Sequence, residues 1–67
     1  MIIMRIAENV KKFRLKQGLS QKQLAQSVGI NQSMIAHIES GLKIPSLAIG
    51  LELAHVLNTT LDRLCGN

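Results

Sequence analysis

The sequence predicts an all-α domain of five short helices, and three observations lead to that prediction. Apolar residues recur at intervals of three and four, the period of a helix with one buried side. Residues suited to begin a helix precede these stretches, and no stretch alternates like a strand. With 67 residues, a single domain over 1–67 is expected.

The composition limits the ways in which so small a chain can be stable. A chain of this length buries only about 60% of the surface that its unfolded form exposes. Cys65 is the only cysteine, and together with two histidines it cannot build a disulfide framework or a structural zinc site. We therefore expect a compact aliphatic core, alone or supported by association between chains, with no metal and no cofactor.

The first two helices follow from apolar spacing and capping. Helix 1 is predicted from about Met4 to Gln17. Its buried stripe carries three residues at helical spacing: Ile6, Val10 and Phe13. Ser20 then begins helix 2 with Gln23 three residues later, which is the spacing of a capping box.

Turn residues and caps delimit the remaining helices. Gly29 provides the turn after helix 2, because glycine tolerates a left-handed backbone. Asn31 caps helix 3, which is predicted to end near Ser40-Gly41. A loop follows, and the last two helices are predicted at Leu47–Leu57, capped by Ser46, and from a Thr60 cap to Leu64.

Residues 20–41 are the most informative part of the chain. Their two helices would share one apolar side, formed by Leu24, Ala25, Val28, Ile30, Ile35 and Ile38. The opposite side of helix 3 would carry small or neutral polar residues: Gln32, Ser33, Ala36 and His37. This arrangement is typical of a helix-turn-helix, which presents one helix to the DNA major groove. An ordinary solvated face is the alternative, although it would normally carry more Glu and Lys.

The charge distribution is one-sided. The formal net charge is +4, and the first third of the chain holds most of the cations: Arg5, Lys11, Lys12, Arg14, Lys16 and Lys22. A basic patch of this kind is suited to binding a polyanion. An ordinary solvated helix face would explain this charge distribution equally well. The helix-turn-helix pattern favours the polyanion.

The order of these features resembles the phage-repressor and Cro family of helix-turn-helix proteins, also called XRE-type. The resemblance covers residues 5–65, and it is carried by Ile6–Gly18, Leu19-Ser20-Gln21, Leu24-Ala25, Val28-Gly29, Ile38-Glu39, Pro45-Ser46-Leu47 and Leu61–Leu64. It implies a five-helix fold of the lambda-repressor type that binds DNA, usually as a dimer on a two-fold symmetric operator. One departure is Gly50 in helix 4, where relatives usually have leucine.

Four outward residues of helix 3 are the candidate base contacts. Gln32 can bond an adenine through both amide groups, and Ser33 can donate or accept a hydrogen bond. Ala36 offers its methyl group to thymine, while His37 can bond a guanine acceptor or a phosphate.

The candidate phosphate contacts are Gln21, Lys22, Asn31 and Lys43. Gln21 opens helix 2, where the helix dipole and free amides favour an anion. The family resemblance implies that this glutamine contacts a phosphate and braces helix 3. It also implies an ion pair between Arg14 and Glu39 that orients helix 3, so Arg14 is not a DNA-contact candidate.

Helix 4 is apolar on nearly every side, and this surplus predicts a second buried face. That face lies either against another subunit or against helices 1, 3 and 5. The residues proposed for a dimer interface are Ile49, Leu61 and Leu64.

The sequence therefore predicts a cytoplasmic, sequence-specific DNA-binding transcription regulator. A homodimer on palindromic double-stranded DNA and a repressor role are expected. No apolar run approaches a membrane span, and no catalytic constellation is present, so neither a membrane protein nor an enzyme is expected. The alternatives are an antitoxin-like module whose helix 4 binds another protein, and the DNA-binding fragment of a larger regulator.

Overall fold

The computed structural model describes residues 5–66, and this part of the chain contains five α-helices and no strand. The helices are α1 Ile6–Lys16, α2 Gln21–Val28, α3 Gln32–Glu39, α4 Leu47–Val56 and α5 Leu61–Cys65. The predicted all-α class and helix order are confirmed. The predicted start of helix 1 at Met4 lies outside the described residues, within which α1 begins at Ile6.

Side-chain caps begin four of the helices at the predicted residues. Ser20 Oγ accepts a hydrogen bond from the backbone amide of Gln23 at 3.0 Å, and Gln23 Oε1 accepts one from the Ser20 amide at 2.8 Å. These two bonds complete the capping box. Asn31, Ser46 and Thr60 cap α3, α4 and α5 through one side-chain oxygen each. Such a cap contributes about 0.5–2 kcal/mol to stability.

The core is aliphatic and draws on all five helices. α3 packs against α1 and α2, while α4 packs on α2 and α5, and α5 on α1. The largest fully buried side chains are Val10, Leu24, Ile35, Ile38, Leu53, Leu57 and Leu64. Burying one such side chain contributes about 1.5–3 kcal/mol. The apolar side predicted for residues 20–41 is confirmed, with Val28 and Ile30 half-buried at the edge of the core.

Gly50 is buried in the middle of α4 and permits a close approach of α5. A Cβ atom at this position would lie 3.2 Å from Leu61 Cδ1. Glycine costs about 1 kcal/mol relative to alanine inside a helix. The departure from the family pattern therefore exchanges helix propensity for a close contact between α4 and the side chain of Leu61.

Asn9 joins α1 to the end of α5 by hydrogen bonds that the sequence did not predict. Its side-chain Nδ2 carries two hydrogens and lies within hydrogen-bond distance of three carbonyl oxygens, those of Gly66 at 2.7 Å, Leu64 at 2.9 Å and Arg63 at 3.2 Å, so one hydrogen is shared between two acceptors. The last carbonyls of a helix have no partner within the helix. Asn9 therefore caps the five-residue α5 from outside it.

Substitution of Asn9 by alanine is expected to destabilise the domain by about 1–3 kcal/mol, because the part-buried carbonyls lose their donor. Urea unfolding followed by circular dichroism would measure this change. Lys11→Ala, at an exposed position of the same helix, is the control and should stay within about 0.5 kcal/mol of the wild type. Equal stability of the two variants would show that Asn9 does not hold α5 in place.

Candidate nucleic-acid interface

A three-residue turn joins α2 to α3. Gly29 ends α2 with a left-handed backbone (φ 83°), and its amide donates to the Ala25 carbonyl at 2.9 Å. The amide of Ile30 donates to the same carbonyl at 3.0 Å. Asn31 then leaves in an extended conformation and caps α3. The turn thus redirects the chain within three residues and allows α2 and α3 to pack against each other.

The outer face of α3, which we define as Gln32, Ser33, Ala36, His37 and Ser40, points away from the core. Gln32, Ser33 and His37 are exposed, and within residues 5–66 their side chains make no hydrogen bond. Their polar groups are therefore free to bond to another molecule. Ala36 is only half-buried and lies at the edge of this face, toward α1.

Glu39, at the end of α3, is paired with a buried arginine of α1. Arg14 Nε donates to Glu39 Oε2 at 2.6 Å and Arg14 Nη2 donates to Oε1 at 3.1 Å. The two side chains are only 9% and 4% exposed. Arg14 Nη1 also donates to the Leu19 carbonyl at 2.9 Å. This two-pronged contact joins α1 to the end of α3 and restricts how α3 can rotate.

Gln21 connects α2 to the same carboxylate. Its Nε2 donates to Glu39 Oε1 at 3.1 Å, so Gln21 braces α3 from the first turn of α2. Gln21 is half-buried, and one amide hydrogen remains for a further acceptor. Arg14, Gln21 and Glu39 thus form one hydrogen-bonded cluster that connects α1 and α2 to the end of α3.

The other proposed phosphate contacts surround α3. Asn31 is exposed, and its side-chain oxygen serves as the α3 cap, which leaves its amide hydrogens available. Lys22 is exposed in the first turn of α2. Lys43 is exposed in the loop after α3, where its backbone amide donates to the His37 carbonyl at 3.2 Å. That bond holds the loop against the end of α3.

The proposed dimer-interface residues require one correction. Leu64 is fully buried, because it is the inward residue of α5 against the core, and it has no surface to offer a second chain. Ile49 and Leu61 are half-buried. Leu47 and Leu51 belong to the surplus of apolar residues on helix 4 but not to the proposed interface, and they are 69% and 51% exposed on α4. Their spacing of four residues places them on one side of the helix.

Comparison with known proteins identifies the family. A family model described as helix-turn-helix, HTH_3, matches residues 10–64, which is most of the chain. The chain belongs to this family. The resemblance to XRE-type repressors is thereby confirmed. HTH_3 proteins are DNA-binding transcription regulators and not enzymes, and the chain is an HTH-type transcription regulator.

Three relatives illustrate the similarity of this HTH_3 chain to other regulators. An uncharacterized HTH-type transcriptional regulator of Archaeoglobus fulgidus is 34% identical over 55 residues, 82% of this chain and 79% of that protein. The P22 c2 repressor in complex with a synthetic operator has a TM-score of 0.86 at 25% identity, over 90% of this chain and 91% of that one. SinR from Bacillus subtilis in complex with DNA has a TM-score of 0.83 at 28% identity, over 88% and 95%.

Residues 5–66 contain no group of three side chains that could hold a metal ion. None of the helices in this range has the length and apolar character needed to span a bilayer.

Proposed function

We propose that this protein is a cytoplasmic repressor that binds a palindromic operator as a homodimer and reads the major groove with α3. One observation carries the proposal: the outer face of α3 presents uncommitted polar side chains on a helix held by the Arg14, Gln21 and Glu39 contacts. A helix of about 10–12 Å diameter fits a major groove about 12 Å wide. The P22 c2 and SinR complexes with DNA support the same mode of binding.

The roles of the individual residues follow from where they lie. Gln32 and Ser33, in the first turn of α3, would contact base edges, with Ala36 and His37 one turn later. Four residues would hold phosphates on both sides of the groove: Gln21, Lys22, Asn31 and Lys43. These phosphate contacts position the domain, while the base contacts give sequence preference.

Selection of bound duplexes from a random library tests this proposal. We expect the purified protein to enrich an inverted repeat whose halves are centred about 34 Å apart, one turn of DNA. Tight binding at low salt without any sequence preference would contradict it. That result would favour the alternative of a protein-interaction module that binds another protein through α4, on which Leu47 and Leu51 are exposed.

Lys43→Ala is expected to weaken binding to the selected duplex and to an unrelated duplex alike. If Lys43 neutralises one phosphate in each subunit of the dimer, the slope of log affinity against log salt should become shallower by about 1.8. Fluorescence anisotropy at several salt concentrations would measure both effects. An unchanged affinity and slope would remove Lys43 from the phosphate contacts.

Leu51→Ser tests the homodimer, which we propose to form through α4 and the Leu61 region of α5. Because Leu51 is half-exposed, its substitution should leave the fold intact. We expect the variant to sediment as a monomer and to lose cooperative binding to the inverted repeat, while it keeps its affinity for a half-site. Leu15→Ser, at an exposed leucine of α1, is the matched control. A wild-type monomer on full-site DNA would contradict the proposed dimer.

A further inference from the structure

An open groove of about 250 Å³ lies between α1 and the outer face of α3. It is lined by Lys11, Arg14, Gln21, Ala36, Glu39 and Ser40. The groove therefore runs from a candidate phosphate contact, Gln21, to a candidate base contact, Ala36. Among the charged residues that line the groove, Lys11 alone has no individual role predicted from the sequence.

The groove carries a net positive charge. Arg14 and Glu39 neutralise each other through their ion pair, whereas Lys11 is exposed and has no carboxylate partner within residues 5–66. Donors also remain for an oxyanion. The Arg14 guanidinium has five N–H groups and uses three of them in hydrogen bonds to protein acceptors. Gln21 uses one of its two amide hydrogens and keeps the other. A cation beside uncommitted N–H groups is the chemistry that binds a phosphate.

We propose that this groove seats a DNA backbone phosphate, with Lys11 as its cation. The inference rests on the proposed function, because the groove adjoins the face of α3 that would enter the major groove. One DNA strand would then pass along the Ala36 side of α3, where Lys11 reaches it from α1. Contact from α1 on this side and from the Lys43 loop on the other would set the depth and tilt of α3 in the groove.

Lys12 provides a matched control on the neighbouring position of the same helix. Its ammonium lies 6.0 Å from the centre of the Phe13 ring, and its side chain lines a different groove, formed with Asn9, Asp62 and Arg63. Lys11→Ala and Lys12→Ala remove the same charge from adjacent exposed positions. Any difference between them therefore reports the location of the charge and not the net charge of the protein.

Salt titrations with the selected duplex and an unrelated duplex test the inference. On the inverted repeat, we expect a fourfold rise in salt to weaken the wild type about twelvefold more than Lys11→Ala, because one phosphate contact in each of the two subunits contributes a slope of about −0.9. Lys12→Ala should keep the wild-type slope, and Lys11→Arg should restore it. A neutral methylphosphonate at the contacted position should weaken the wild type but leave Lys11→Ala unchanged.

The outcomes separate this inference from the proposed function. If the wild type binds its selected duplex and Lys11→Ala behaves like Lys12→Ala, the Lys11 assignment is overturned and the proposed function stands. If the wild type shows no sequence preference, the proposed function fails and the inference fails with it. Circular dichroism of both lysine variants confirms that they are folded, which their exposed positions lead us to expect.

Discussion

Replacement of Glu39 by glutamine is expected to destabilise the domain by about 3–5 kcal/mol, because it leaves the Arg14 guanidinium buried without a counter-charge. Arg14 is only 8% exposed, so water compensates poorly for the lost carboxylate. Small domains are stable by only about 5–15 kcal/mol, and a 67-residue chain lies near the lower end. Urea unfolding of Glu39→Gln should therefore show loss of most of the stability.

Glu52→Gln is the control for this prediction. Glu52 is exposed on α4 and takes part in no ion pair within residues 5–66, so its replacement should change stability by less than about 0.5 kcal/mol. A second variant that also replaces Arg14 by methionine should be more stable than Glu39→Gln alone, since an apolar side chain needs no counter-charge. Equal effects of Glu39→Gln and Glu52→Gln would show that the pair contributes little to folding.

Gln32→Ala is expected to weaken binding to the selected operator by about 1–3 kcal/mol and to relax the preference at one base position. The side chain is exposed and makes no hydrogen bond within residues 5–66, so folding should be unaffected. Competition binding with all four bases at each operator position would measure the change. Gln32 lies in the first turn of α3, where a docked helix comes closest to the bases.

Gln26→Ala is the matched control, because Gln26 is an exposed glutamine in the second half of α2, away from the outer face of α3. It should keep both affinity and preference. If Gln32→Ala retained the full preference at every operator position, Gln32 would not be a base contact. The outer face of α3 would then be docked in a different orientation from the one proposed.

Features encoded within one or two helical turns could be predicted from the sequence. The capping box of Ser20 and Gln23 and the cap at Asn31 each involve residues three positions apart, so both can be predicted from the amino-acid sequence alone. The buried Ile35 and Ile38 follow in the same way from helical spacing. The order of these local signals was also sufficient to indicate the helix-turn-helix family.

Contacts between distant parts of the chain were decided only by the tertiary structure. Asn9 bonds to carbonyls 54 to 57 positions away, and no local pattern distinguishes it from an ordinary surface asparagine. Leu64 was mistaken for a surface residue, because periodicity in a five-residue helix does not show which side faces the core. The groove beside Lys11 likewise exists only where α1 and α3 meet. Helical spacing describes one helix at a time, whereas burial and long-range hydrogen bonds depend on how several helices pack together.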